Sequence, residues 1–326
     1  MKKIRVGVVG TGHLGQHHAR ILSKMANCEL VGVADTDEKT ARSVAKDCKT
    51  QAFYHHRHLL DCIDAVSIAV PTVSHFEVAK DFFNNGVHVF LEKPITKTVE
   101  EADELIALAR QKGLIFQVGH IEHFNPAILK LKEIVDRPLF VESHRLGPFS
   151  PRVKDIGVVH DLMIHDIDII LRIVDSPVES FDAVGVPILT DKEDIANVRI
   201  RFKSGCTANV TVSRVTPKPM RKIRIFQKDN YISIDYSTQS MEVYTKVPVP
   251  NPKPGEVPAK IVRKAIKIRT QNQLELELDH FLDCVEKGRT PVVTGEQARE
   301  ALQTITQISD QIREKITTWA PVISSS

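Results

Sequence analysis

Ile4-Arg5-Val6-Gly7-Val8-Val9-Gly10-Thr11-Gly12-His13-Leu14-Gly15 stands almost at the start of the chain. Residues 4–9 are a short β-branched run of the kind that makes a buried parallel strand. Three glycines spaced G-x-G-x-x-G follow at once, and a helical pattern continues to about Met25. Between a strand and a helix each glycine has a physical task. The first allows a tight turn, the second lets a phosphate approach the backbone, and the third lets helix and strand pack closely. The amides and dipole at the helix start then favour negative charge. The spacing predicts a βαβ unit that binds a dinucleotide.

The next apolar run, residues 28–34, ends in Asp35, some twenty residues beyond Gly15. An acid there accepts hydrogen bonds from ribose hydroxyls and repels a 2′-phosphate, and Thr36 and Asp37 bring no cation to offset it. NAD is therefore expected rather than NADP. Residues 65–70 form another such run and stop at Pro71-Thr72, with Ser74-His75 opening a helix. Residues 87–91 form the next and stop at Glu92-Lys93-Pro94. Ligands of open α/β sheets collect beyond the carboxyl ends of the strands, so these turns are expected to share one crevice. The expected cofactor contacts are Gly10, Thr11, Gly12, His13, Leu14, Gly15, Asp35, Thr36, Val70, Pro71, Thr72, His75, Glu92, Lys93 and His120.

Residues 159–172 read as a helix that is apolar almost all round, except for a stripe of Asp161, His165, Asp168 and Arg172. Their i, i+4, i+7, i+11 spacing puts them on one face. Two readings stand: a buried, mutually satisfied pair, or a reacting pair served by a nicotinamide site. His160 and His165 are about 140° apart around an α-helix, so they do not converge on one metal ion. His55-His56-Arg57-His58 reads as exposed helix or loop, and no metal is expected.

In combination these motifs resemble the Gfo/Idh/MocA family of NAD(P)-dependent oxidoreductases. The resemblance spans nearly the whole chain. It rests on the glycine turn, Pro71 with His75, Glu92-Lys93-Pro94, and Asp161-x-x-x-His165. Gly119-His120-Ile121-Glu122-His123-Phe124-Asn125-Pro126 and residues 161–168 resemble the branch that oxidises the 3-hydroxyl of UDP-N-acetylglucosamine. Two positions depart from that branch: His123 stands where Arg is usual, and His160 where an apolar residue is usual. The resemblance implies catalytic roles for Lys93, Asp161 and His165, and sugar contacts at Glu122, His123 and Asn125. Asn125-Pro126 equally suits a helix N-cap with proline in the first turn. Arg145 and Lys154 are cationic candidates for the substrate's phosphates. Other readings on the same scaffold are a dehydrogenase of another sugar or polyol, an NAD-retaining glycoside hydrolase, and a non-catalytic sensor. A hydrolase would accumulate no NADH, and a sensor would not need Lys93, Asp161 and His165 together.

The chain has 326 residues, 42% hydrophobic and 26% charged, with a formal charge of +3. That length suggests two domains, and that charge is too small to argue for nucleic acid. No apolar run is long enough to span a bilayer, and the amino terminus lacks the apolar core of a signal peptide. Five cysteines without a Cys-x-x-Cys fit reduced thiols in the cytoplasm.

Alternating strand and helix patterns predict a doubly wound Rossmann sheet over 1–120. Successive alternating segments between 139 and 245 predict an α+β domain, 121–326, with a large, mainly antiparallel open sheet. Two helices close the chain, the last packing back on the first domain. In the family the open sheet face is covered by another subunit, which implies a homodimer or homotetramer. The 3-keto product would suit a downstream aminotransferase. Residues 246–269 carry five prolines and seven Lys or Arg against one acid. They read as a stiff solvated loop, or as a lid or oligomer arm.

Overall fold

The computed structural model describes residues 3–151, 155–250, 252 and 257–323, with side chains to residue 317. The chain divides into two compact units, Met1–Phe124 with Asn272–Leu302, and Asn125–Gln271 with Gln303–Ser326.

The first unit is built on six parallel strands. β1 (Ile4–Val9), β2 (Cys28–Ala34), β3 (Gln51–Phe53), β4 (Ala65–Ile68), β5 (His88–Glu92) and β6 (Phe116–Gly119) lie in the order β3-β2-β1-β4-β5-β6. The order reverses between β1 and β4, which puts a topological switch point directly beyond Val9. Four helices connect these strands: α1 (Gly15–Leu22), α2 (Glu38–Cys48), α3 (His75–Asn84) and α4 (Val99–Lys112). Local chemistry fixes their ends. Asp37 accepts the Lys39 and Thr40 amides at the start of α2. Thr98 and Glu101 cap each other's backbone at the start of α4, and Gly113 ends that helix in the left-handed region.

The expected second domain, 121–326, is not continuous, because residues 272–302 return to the first unit. The reason is α7 (Gln273–Lys287). Its apolar stripe of Leu278, Phe281 and Leu282 completes a core with Val6, Val8, Ala19, Leu22 and Phe90. The first turns of α8 (Gly295–Ile323) add ion pairs from Arg299 to Asp103 and from Glu296 to Arg110.

The second unit carries an eight-stranded sheet. Its strands are β7 (Phe140–Leu146), β8 (Val178–Val186), β9 (Ile195–Phe202), β10 (Thr207–Ser213), β11 (Met220–Phe226), β12 (Asn230–Asp235), β13 (Ser240–Pro248) and β14 (Ala259–Ile266). The order is β14-β13-β12-β11-β7-β10-β9-β8, antiparallel throughout except for β7 beside β10. α5 (Pro126–Leu131) precedes β7, and α6 (Ile164–Val174) packs over β7 and β10. Alternation sets the faces: Ala196, Val198, Ile200 and Phe202 are buried, while Arg199 and Arg201 point out. The opposite face carries an aromatic ladder, Phe140–Phe226–Tyr231–Tyr244, with centroid separations of 5.7, 5.1 and 4.3 Å.

The proline-rich basic segment is not simply a loop. β13 runs to Pro248, and β14 pairs with it from Met241↔Ile266 to Pro248↔Ala259. Pro248 closes β13, and 259–266, which contains Ile261 and Val262, has no proline to interrupt its ladder. Among the described residues no helix is long and apolar enough to cross a membrane.

Candidate active site

In the first unit the glycine turn is shaped by close backbone approach. Gly10 has φ +88°, and a Cβ on it would lie 2.5 Å from the Ala69 carbonyl oxygen. A Cβ on Gly15 would stand 1.8 Å from the Gly10 oxygen. Gly12 is the opposite case, with nothing within 4 Å of where its Cβ would stand. Open space over one glycine between two tightly packed ones is a cradle of the kind a pyrophosphate fills. His13 and Leu14 are exposed beside it.

Asp35, at the end of β2, takes part in this turn. Its Oδ2 accepts the Thr11 amide at 2.6 Å and the Thr11 hydroxyl at 2.9 Å, and its Oδ1 accepts the Asp37 amide at 2.9 Å. Thr36 is exposed next to it. The carboxylate thus braces the turn, at the position where the sequence predicts a ribose contact. Asp35→Ser is expected to weaken NAD use about tenfold while improving the NADP-to-NAD ratio of kcat/KM by about a hundredfold, since both a charge-assisted bond and a repulsion are lost. Steady-state kinetics with both cofactors checks this. An equal loss with each would mean that Asp35 only holds Thr11.

The ends of β4 and β5 are tied together by His75. Its Nδ1 lies 2.9 Å from the Pro94 carbonyl oxygen and its Nε2 3.0 Å from that of Val70. Burial pushes this imidazole below its ordinary range, although the two carbonyls oppose the shift. His75 therefore acts as a strut beneath the expected cofactor turns, with Pro71 exposed and Val70 and Thr72 half-buried above it. Lys93 is half-buried, and the Lys93–Pro94 peptide is cis. Glu92 is buried, and its Oε2 accepts the Lys93 amide at 3.2 Å. His120, Glu122 and His123 are buried in the turn after β6.

One residue here carried no functional reading from the sequence. Glu277 of α7 is fully buried, and among the described residues neither carboxyl oxygen has a hydrogen-bond partner. Burial, with the like charges of Glu92 and Glu122, pushes its carboxyl well above the usual range. An unfolded chain releases this proton near pH 4.3, whereas the fold retains it, so stability falls as pH rises above that value. Glu277→Gln removes the loss. Thermal melts should show a gain at pH 8 that exceeds the gain at pH 5 by about 2 °C or more.

In the second unit the Asp/His helix begins with a widened turn. Residues 159–163 are wound as a π-helix, in which the Ile164 amide reaches back to the Val159 oxygen, before α6 continues as ordinary α-helix. The extra residue changes the angle between Asp161 and His165 from that of a plain i, i+4 pair. Such turns recur at functional sites. Both side chains are half-buried, as is Arg172, while Asp168 is buried. Glu193 secures the widened turn: its carbonyl accepts the Val158 amide at 3.1 Å and its Oε1 the Val159 amide at 3.3 Å. A Cβ on Gly157 would lie 1.9 Å from that Oε1, so a larger residue there would displace the Glu193 carboxylate from the turn. Burial pushes His160 below the ordinary imidazole range, with Glu193 opposing the shift.

The remaining expected contacts are placed as follows. Asn125 is buried, caps α5 through the Ala127 amide at 3.0 Å, and donates to the Tyr236 carbonyl at 3.1 Å. Arg145 is also buried. Its Nε meets Asp166 Oδ2 at 2.7 Å, its guanidinium lies over Tyr236, and Ser143 donates to the same carboxylate at 2.7 Å. That engagement makes Arg145 a brace between β7 and α6. Lys154 lies outside the described residues. Among the described residues no group of three or more His, Cys, Asp or Glu gathers as for a metal ion.

Residues 4–120 match the model of the oxidoreductase family with an NAD-binding Rossmann fold, and residues 133–238 match the GFO/IDH/MocA C-terminal domain. The UDP-N-acetylglucosamine 3-dehydrogenase of Acidithiobacillus ferrooxidans is 36% identical over 311 residues, covering 94% of this chain and 97% of that one. The chain belongs to the Gfo/Idh/MocA family. It is an NAD-dependent oxidoreductase. A solved structure of the Acidithiobacillus enzyme aligns with TM-score 0.88 at 35% identity, over 96% of this chain and 98% of that one. The scyllo-inositol 2-dehydrogenase (NAD(+)) of Bacillus subtilis is 27% identical over 90% of this chain and 89% of its own. A myo-inositol 2-dehydrogenase structure from Lactobacillus plantarum, 19% identical with TM-score 0.80 over 96% of this chain and 98% of that one, shares the fold.

Proposed function

We propose that this oxidoreductase removes hydride from C3 of a nucleotide-linked 2-acetamido sugar, UDP-N-acetylglucosamine, and yields the 3-keto sugar. The observation that carries the reading is the 36% identity to a UDP-N-acetylglucosamine 3-dehydrogenase along almost the full length of both chains, against 27% to an inositol enzyme. Bound NAD supplies the hydride acceptor. His165 takes the hydroxyl proton as neutral imidazole, a group whose ordinary pKa lies near working pH. Asp161 orients that imidazole and balances the positive charge it gains. Lys93 donates to the same hydroxyl oxygen and stabilises its alkoxide character. Glu122, His123 and Asn125 favour the sugar, and Asp35 favours the NAD ribose.

A 3-keto sugar is an aminotransferase substrate, which makes such an enzyme the natural consumer of the product. The aromatic ladder on the open sheet face favours a homodimer or homotetramer in which a second copy covers it. Five free cysteines suit a reducing compartment, the cytoplasm.

The test is a panel of UDP-N-acetylglucosamine, other nucleotide sugars, free sugars and inositols incubated with NAD⁺. NADH appearance is followed together with loss of two hydrogens from the sugar mass. UDP-N-acetylglucosamine deuterated at C3 should pass its deuterium to the cofactor. Deuterium retention, or turnover only with inositols, would overturn the reading. Glycoside cleavage without accumulating NADH would mark a hydrolase instead.

A further inference from the structure

His18 stands on the buried face of α1 with Gly15, Ala19 and Leu22, where an apolar residue is expected. It is fully buried between two polar groups from other strands. Its Nδ1 lies 2.8 Å from Ser67 Oγ on β4, and its Nε2 lies 3.1 Å from Glu92 Oε1 at the end of β5. The tautomer that suits both neighbours carries its proton on Nε2, on the carboxylate side, and accepts the Ser67 hydroxyl at Nδ1; Nε2 stands at ion-pair distance from Glu92 without hydrogen-bond alignment. The other Glu92 oxygen accepts the Lys93 amide at 3.2 Å. Behind the carboxyl group lies Gly119, where a Cβ would stand 3.2 Å from it. Ser67, His18, Glu92 and the Lys93 backbone thus form one continuous buried chain drawn from three elements.

We propose that His18 and Ser67 are positioning residues for Lys93, acting through Glu92, whose carboxylate they lock in one orientation against the Lys93 amide. The proposal rests on the reading of Lys93 as a reacting group. A carboxylate desolvated this far keeps its charge only with donors aimed at it. Burial pushes Glu92 upward, but the facing His18 ring, then the charge and amide of Lys93, outweigh it and hold the carboxyl below its usual range. The other titratable groups facing this carboxyl are His75 of α3 and Glu277 of α7. Glu277 keeps its proton and adds no charge there, so the facing His18 ring helps decide whether negative charge stays beside Lys93. Without that ring Glu92 gains proton affinity, the Lys93 ammonium loses its neighbouring anion, and Lys93 releases its proton at lower pH.

Competitive acylation of Lys93 by acetic anhydride, read by mass spectrometry across pH on the full-length protein, reports that titration without any sugar. His18→Leu should move the Lys93 midpoint down by roughly half a pH unit or more and lower kcat/KM about tenfold. His18→Gln keeps an N–H toward Glu92 and should recover most of both effects. Ser67→Ala, which leaves the ring in place, should shift the midpoint in the same direction by less and serves if His18→Leu does not fold. An unchanged midpoint in folded His18→Leu or Ser67→Ala protein overturns the proposal. So does a Gln variant no better than Leu, the pattern of a residue that only fills space. Because the labelling needs no substrate, failure to oxidise UDP-N-acetylglucosamine would overturn the substrate reading and leave this one standing.

Discussion

His165→Asn lowers kcat by about 10²–10⁴-fold, the range lost when a positioned general base is removed. Asparagine keeps a hydrogen-bonding side chain of smaller volume at a half-buried position, so the fold and the cofactor turn in the other unit should be undisturbed. Calorimetric titration should therefore return the wild-type Kd for NAD. The pH profile identifies the base: if His165 takes the proton, the acidic limb of log kcat/KM disappears in this variant. Asp161→Asn should retain that limb but move it to lower pH, because an imidazolium deprived of its neighbouring carboxylate forms less readily. A His165→Asn enzyme within threefold of wild-type kcat would remove His165 from the mechanism.

Lys93→Met lowers kcat by about 10²–10³-fold, the loss typical of deleting one donor to a developing oxyanion. Methionine matches the length of the lysine stem without its charge, and Lys93 is only half-buried, so folding should survive. KM for the sugar should change little if the ammonium acts mainly on the transition state. Hydride transfer then becomes the slow step, and the primary deuterium isotope effect on kcat should rise above the wild-type value. Lys93→Arg should not rescue, since a planar guanidinium cannot place a single proton where an ammonium does. Loss of NAD binding with an unchanged isotope effect would mean that Lys93 serves the cofactor alone.

How much of this was legible in the sequence depends on how local the determining contacts are. The glycine turn was readable because strand, turn and helix are contiguous, and the clashes that demand glycine at positions 10 and 15 arise within that unit and the adjoining end of β4. The antiparallel strands were readable because alternation is a property of each strand alone. The basic hairpin was missed because the β14 side chains are mostly exposed on both faces, which leaves no alternation to read. The widened turn was missed because one inserted residue leaves the i, i+4 spelling of Asp161 and His165 unchanged. The Arg145–Asp166 pair was not legible because a cation's partner is not written beside it, and Asp166 is reached only when α6 packs on β7. His18 offered a signal, a histidine in the i, i+3, i+4 stripe with Gly15 and Ala19, but its partners come from separate strands.

Short spacings and backbone sterics made the NAD-binding half legible in the chain alone, because its strand, glycine turn and helix are contiguous. That α7 rejoins the first unit, that β7 and β10 pair in parallel, and which buried charges face one another emerged only on folding. Those outcomes come from contacts between residues far apart in the chain, where packing and desolvation choose the partner and spacing carries no record of it.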